Sequence, residues 1–240
     1  MSAAMDLGLN ETSFTSVGSI DVDDMDLSRF NTGITSIDNL LGRGLMPSMV
    51  VTITSVAGCG KTTLLLQLLE SIATKSNKKV GYISAEEDVS QLAYNATRIG
   101  VTNVQVANMC DIDKICDTVM PKFDAIVLDS FQCMKSKIVK GKLKVQEYAI
   151  HKIVKAAKET RCVVFNICHL TKDGKLKGDS GVIHAVDCTM QIYKGSTEDY
   201  GHDEARIIEV SKNRFGRTGE IALRMGSKGY DFNTPCEKQS

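Results

Sequence analysis

The chain has no tryptophan, and its 7 phenylalanines and 6 tyrosines bring aromatic content to only 5%. Stacking platforms for unpaired bases are therefore scarce, so any nucleic-acid binding rests mainly on charge. No apolar run approaches the roughly 20 residues that span a bilayer. The start, Met1 to Asp6, lacks the basic and apolar regions of a secretory signal. Eight cysteines include no C-x-x-C pair, which removes the spacing of a zinc ribbon or finger. Cys162, Cys168 and Cys188 sit in apolar, strand-like runs and read as small core residues of a reducing compartment. The expectation is a soluble cytoplasmic protein with no membrane partner.

Net charge is also missing: 29 basic residues balance 29 acidic ones. That is not the composition of a dedicated nucleic-acid module. The balance is uneven along the chain, because residues 1–29 hold six acids against Arg29 alone. We read 1–29 as a flexible acidic arm, with docking on a neighbouring subunit through Phe14 or Ile20 as the alternative. The remaining residues, 30–240, are long enough for one domain with a substantial core.

What the chain does have is centred on Met49 to Leu69. Met49-Val50-Val51-Thr52-Ile53-Thr54 is β-branched, apolar and unbroken, as a buried strand requires. Ser55-Val56-Ala57-Gly58-Cys59-Gly60-Lys61-Thr62 follows, and Thr63 to Leu69 is a strong helix former. This is the phosphate-loop pattern G-x-x-x-x-G-K-[ST] with Ser55 at its first position. Gly58 and Gly60 let consecutive N–H groups and the helix N-terminus face phosphates. Lys61 supplies a cation at the β- and γ-phosphates, and the Thr62 hydroxyl can ligate Mg²⁺. The cofactors expected are ATP and Mg²⁺, bound across Ser55 to Thr63.

Around it, helical spacing runs from Ile34 to Leu41, and strands are expected at Lys79–Ser84, Val104–Ala107, Phe123–Ser130 and Cys162–Cys168. Helices are expected at Val89–Ile99, Asp111–Met120 and Val145–Thr160. The late strand-like runs Asp187–Tyr193, Arg206–Ser211 and Ile221–Arg224 lie close together and suggest hairpins. The sum is an α/β fold with a mostly parallel central sheet and an antiparallel extension at the C-terminal end.

Asp129 closes an apolar strand, where a carboxylate can hold the Mg²⁺ shell. Glu86 and Glu87 stand at the mouth of the second strand, where a ligand of an open α/β sheet lies. A carboxylate there can orient the water that attacks the γ-phosphate. A solvated acidic turn opening a helix accounts for the same residues. Lys135, Lys137, Lys140, Lys142 and Lys144 place five cations in ten residues with no acid among them. Such a loop can neutralise nucleic-acid phosphates, or simply be a solvated surface. A second loop, Thr171–Ile183, adds Lys172, Lys175 and Lys177. His169 closes the fourth strand, either packed or relaying nucleotide state to that loop. Lys212-Asn213-Arg214-Phe215-Gly216-Arg217 reads as a hairpin tip, either a solvated bend or a cationic finger for a phosphate.

With these motifs in order, the sequence resembles the RecA-like ATPases, and most closely the RadA (Sms) recombination family, over about Gly33 to Phe232. The resemblance is carried by the phosphate loop, Tyr82-Ile83-Ser84-Ala85-Glu86-Glu87, Val127-Leu128-Asp129-Ser130-Phe131-Gln132, His169-Leu170-Thr171-Lys172 and above all Lys212-Asn213-Arg214-Phe215-Gly216. It implies Glu86 as base for the attacking water, Asp129 in the Mg²⁺ shell and His169 at a γ-phosphate-sensing position. It implies that Lys212 and Arg214 reach the nucleotide of an adjacent subunit. The loops 133–144 and 171–183 would contact single-stranded DNA, and the chain would self-associate into a ring or filament. The family's zinc module and Lon-like domain have no counterpart in these residues, so the resemblance is to the RecA core, as in short recombinase-like ATPases of some viruses. A regulatory ATPase of the KaiC type, which does not act on DNA, is the alternative.

Overall fold

Strand and helix alternate along the chain, and the strands assemble into one nine-stranded sheet of order β3-β2-β4-β5-β1-β6-β7-β8-β9. The structure is a computed structural model that describes residues 29–169, 181–201 and 204–238, together with Ser16 and Gly18. The acidic arm expected over 1–29 and the lysines 172, 175 and 177 therefore lie outside the described residues, apart from Ser16, Gly18 and Arg29. The parallel part comprises β1 (Val50–Ser55), β2 (Val80–Ser84), β3 (Gln105–Asn108), β4 (Ala125–Asp129), β5 (Val163–His169) and β6 (Cys188–Lys194). The antiparallel part adds β7 (Ala205–Asn213), β8 (Gly219–Gly226) and β9 (Gly229–Pro235).

The strands read as continuous apolar runs because both faces are covered. On β4, Ala125 and Val127 face one core cluster while Ile126 and Leu128 face the other. The first face is packed by α1 (Thr35–Leu41), α2 (Lys61–Lys75) and α3 (Val89–Arg98), with Leu64, Leu65, Leu68, Leu69 and Ile72 of α2 buried. The second is packed by α4 (Lys142–Thr160), whose Ala149, Ile150, Ile153, Ala156 and Ala157 recur at helical spacing.

The helix expected over Asp111–Met120 is present as one helical run over 112–122, wound irregularly: α over Ile112–Lys114, π over Ile115–Val119 and 3-10 over Met120–Lys122, with Pro121 tolerated in the first turn of the last piece. Three expectations need correction. Helix α4 starts at Lys142 rather than Val145, so Lys142 and Lys144 lie on its first turn and not in a loop. The run at 187–193 is not only a hairpin arm: β6 pairs parallel to β1 on one side and antiparallel to β7 on the other. Strand β9 was not expected at all, since Gly229-Tyr230-Asp231-Phe232-Asn233 has too many turn-forming residues to read as a strand.

Candidate functional site

The order β2-β4-β5-β1 sets the carboxyl ends of four parallel strands side by side. Glu86, Asp129, His169 and the phosphate loop follow those four ends in turn, and Ser55 is level with His169. Hence the sequence-distant candidates converge on one edge, as expected for an open α/β sheet.

The loop itself curls between Ser55 and α2. Gly60 has φ 90° and caps α2, and a Cβ there would run into the Met225 side chain and the Tyr230 hydroxyl. The Tyr230 hydroxyl in turn donates to the Cys59 carbonyl at 3.0 Å. Thus the unexpected β9 holds the loop from below, and only glycine fits between. Lys61 is 8% exposed, and its ammonium donates to Ser55 Oγ at 2.8 Å and to the Val56 carbonyl at 3.4 Å. Burial pushes that ammonium below its ordinary range, against the pull of Asp129, Cys59 and Glu86. The serine at the first loop position is therefore not a neutral gap: it occupies the lysine that phosphates would take.

Asp129 is 7% exposed and accepts a 2.6 Å hydrogen bond from the Tyr82 hydroxyl. Burial raises the Asp129 carboxyl even against that bond, and burial with the Asp129 charge raises the Tyr82 phenol. The phenol also lies in hydrogen-bonding contact with Thr62, so Thr62 and Asp129 share one neighbourhood. That arrangement suits a cation: a hydroxyl and a carboxylate beside a phosphate loop are hard oxygen ligands.

Glu86 Oε1 gathers donors. Ser130 Oγ makes a short hydrogen bond to it and Cys133 Sγ donates at 3.1 Å, while His169 Nε2 lies 3.4 Å away without a hydrogen bond. Burial would raise this carboxyl, but the Ser130 and Cys133 bonds and the His169 ring outweigh it, and it stays below the ordinary range. Burial, with Glu86 close by, raises the Cys133 thiol, which keeps it a donor. Glu87 behaves oppositely: burial and the charges of Asp129, Glu86 and Asp88 raise it, and its Oε2 has no partner. One ligand atom each from Glu86, Asp129 and His169 falls within 4.8 Å of the others, so this trio could also hold a cation. Gln132 ties the ends of β4 and β5 together, its amide giving to and taking from the His169 backbone at 3.3 Å. Ser130, Cys133, Tyr82 and Tyr230 were not singled out as site residues. The i, i+3 spacing of Ser130 and Cys133 just past a strand was the available signal for two of them; Tyr230 offered none.

The basic stretch begins next to this cluster. Lys135, Lys137, Lys140, Lys142 and Lys144 are all exposed. Its start is anchored rather than loose: the Lys135 backbone pairs with Cys110 and Ile112, and Ser136 and the Lys137 N–H donate to Asp113.

The Lys212–Arg217 turn lies elsewhere. Cys188 is level with both Val51 and Asn213, so the turn starts four strand positions, about 13 Å, from the phosphate-loop end of the sheet. Lys212 is not an exposed finger; its ammonium donates to the carbonyls of Ile183, His184 and Val186 at 2.8, 3.2 and 2.7 Å. Arg214 pairs with the buried Asp187 at 3.2 Å, and its side chain is 50% exposed. Asn213 Nδ2 donates to the Leu41 carbonyl at 3.0 Å, closing the C-terminal end of α1.

This fold and this edge are those of a RecA-like P-loop core. A family profile described as "ATPase: KaiC" matches residues 30–118. The KaiC-like protein PH0186 of Pyrococcus horikoshii OT3 shares the fold, with a TM-score of 0.68 at 15% identity, over 84% of this chain and 97% of that one. Within this class the core is close to that of the DNA repair protein RadA. The Aquifex aeolicus RadA is 36% identical over 210 residues, 85% of this chain and 46% of that protein. The Escherichia coli K12 RadA is 31% identical over 207 residues, 82% of this chain and 43% of that protein. The chain thus spans about half the length of the curated relatives it matches. No helix among the described residues is long and apolar enough to cross a membrane.

Proposed function

We propose that this chain is a Mg²⁺-dependent ATPase that acts in DNA recombination, repair or replication, and that it binds single-stranded DNA as an oligomer with ATP sites shared between subunits. The observation that carries the reading is the separation of Arg214 from its own phosphate loop, about 13 Å up the sheet. A cation built into a family motif, yet remote from its own nucleotide, has a role at the nucleotide of a neighbour. The similarity to RadA supports the DNA assignment.

In this reading the N–H groups from Val56 to Thr63 cradle the phosphates and Lys61 turns from Ser55 to the γ-phosphate. Thr62 and Asp129 hold Mg²⁺, which supplies charge neutralisation when bound. Glu86, kept ionised by Ser130, Cys133 and His169, takes the proton of the attacking water. His169 and Gln132 connect that carboxylate to the segment after β5. Both cations have partners in their own chain, Lys212 three carbonyls and Arg214 the Asp187 carboxylate and the His184 carbonyl; Arg214, half exposed, is the more accessible of the two as the cross-subunit group. The exposed lysines from 135 to 144 meet the DNA phosphates, together with Lys172, Lys175 and Lys177.

The profile match over residues 30–118 favours a second reading, a KaiC-like regulatory ATPase that does not act on DNA. Hydrolysis measured with and without single-stranded DNA separates the two: strong stimulation supports the first, indifference the second. Mixing the inactive variants Lys61→Ala and Arg214→Ala tests the shared site. Partial recovery of turnover is expected, because some interfaces then carry both native groups; no recovery would rule out sharing. Neutralising Lys135, Lys137 and Lys140 together is expected to flatten the logarithmic salt slope of DNA binding by about 2.

A further inference from the structure

Three neighbouring strand ends carry metal-ligand side chains. Glu86 follows β2, Asp129 closes β4 and His169 closes β5, and β4 lies between the other two. One ligand atom of each falls within 4.8 Å of the other two. His169 Nε2 and Glu86 Oε1 are 3.4 Å apart. Two ligands held about 2.0–2.1 Å from one ion at tetrahedral angles stand about 3.3 Å apart, so this pair already has the spacing of a shared Zn²⁺. Nε2 is shielded from solvent and has no hydrogen-bond partner. In the tautomer with its proton on Nδ1, the ring presents a lone pair to the space that Glu86 Oε1 also faces. An ion between them relieves that opposition and completes an otherwise unsatisfied buried nitrogen.

The outer supports of a metal site are also in place. Tyr82 donates to Asp129 Oδ2 at 2.6 Å and leaves Oδ1 for an ion. Ser130 donates to Glu86, and the Glu86 and Glu87 N–H groups donate to Ser84 Oγ at 3.2 and 2.8 Å, which fixes the turn that carries the carboxylate. Gln132 holds the His169 backbone through both its N–H and its carbonyl. Partners of this kind orient metal ligands and raise affinity roughly 10–100-fold. The Glu86 side chain is 39% exposed, which gives an ion a path in from solvent. The donor set also selects the ion. Mg²⁺ takes oxygen ligands and keeps several waters, whereas an imidazole nitrogen suits Zn²⁺.

We infer that Glu86, Asp129 and His169 form a Zn²⁺ site in the nucleotide-free protein, with water in the fourth position, and that this ion competes with Mg²⁺ and ATP for the same edge. The site stands on its own geometry; only the competition rests on the function proposed above, through Asp129 and Glu86.

Co²⁺, which takes the place of Zn²⁺ and absorbs visible light, reads the site without any turnover. The nucleotide-free protein is titrated with Co²⁺, and Zn²⁺ displacement then gives the affinity. The expected result is the intense spectrum of a four-coordinate ion, saturating at one equivalent. Zn²⁺ should abolish it, and so should Mg²⁺ with a non-hydrolysable ATP analogue, but not Mg²⁺ alone. His169→Ala and the isosteric Glu86→Gln should each weaken binding by about 100-fold or more, beyond the range of a lost outer partner. Glu87→Gln, whose carboxylate lies outside the trio, should leave it unchanged. A sulfur-to-cobalt charge-transfer band would put the ion on a cysteine and overturn the site. Displacement by Mg²⁺ alone, or equal binding in His169→Ala, would overturn it as well.

Competition is read from hydrolysis with Zn²⁺ held by a metal buffer. At about ten times its Kd, Zn²⁺ should raise the KM for Mg²⁺-ATP about tenfold by mass action, and the KM of His169→Ala should not respond. A bound ion with an unchanged KM would overturn the competition and leave the site. Hydrolysis that survives Glu86→Gln would remove Glu86 as the base, and the Co²⁺ spectrum still decides the site.

Discussion

The two ends of the sheet carry the two most specific sequence motifs, and they treat their polar groups in opposite ways. At the carboxyl edge, groups are left in tension: burial pushes Asp129 and Glu87 up, and Glu87 Oε2 has no partner. At the amino edge, the Lys212–Arg217 turn satisfies itself. Lys212 donates to three carbonyls, Asn213 closes α1, and Asp187 takes both the Arg214 guanidinium and the Val50 N–H. Unsatisfied buried groups cost stability and are kept where a ligand completes them, whereas satisfied ones hold the fold. One motif is therefore mainly chemistry and the other is half architecture.

Substitutions should divide along that line. Glu86→Gln should lower the rate of ATP hydrolysis by about 10²–10⁴, the range of a lost general base, without lowering the urea midpoint. A coincident loss of stability would make Glu86 a structural group and break the contrast. Arg214→Ala should cost about 2 kcal/mol of stability in urea titrations, because it leaves the carboxylate of Asp187, 8% exposed, short of a partner. Asn213→Ala should cost about 1 kcal/mol through the lost bond to Leu41. Stability unchanged in both would mean the turn is held by something other than these side chains.

Acid gives a third comparison, away from either edge. Asp113 receives Ser136, Tyr148 and Lys152, which together outweigh its burial and hold its carboxyl down at about 2. Its depressed value means that its stabilisation is present above its ordinary 3.8 and is lost as pH falls through about 2. An Asp113→Asn variant should therefore lose the difference between neutral and acidic melting midpoints that this residue contributes. Glu87 is shifted the other way, so its ionised form opposes folding, and Glu87→Gln should raise the midpoint slightly at neutral pH. The smallest effect is expected for Ser55→Gly. Freed from the serine hydroxyl, Lys61 should take ATP with a KM a few-fold lower, about the worth of one hydrogen bond, and an unchanged kcat.

The α/β class and the strand–loop–helix at its centre were legible because both are local. The β-branched run of β1, the glycines at 58 and 60 and the leucines of α2 each dictate their own conformation within a few residues. Periodicity also located β2, β4 and β5, since strands buried on both faces read as unbroken apolar runs. It failed at β9, where Tyr230 and Phe232 stand among turn formers.

By itself, then, the sequence determined that there is a phosphate loop, where strands end in carboxylates, and that one stretch is strongly basic. Only the tertiary structure decided which side chains meet. That Cys133 and Ser130 hold Glu86, that Tyr230 supports Cys59, and that Lys212 is spent on its own backbone all depend on strand order. Those contacts join residues from 26 to 171 positions apart. No pattern along the chain encodes such distances, because they are set by which strands lie adjacent in the sheet.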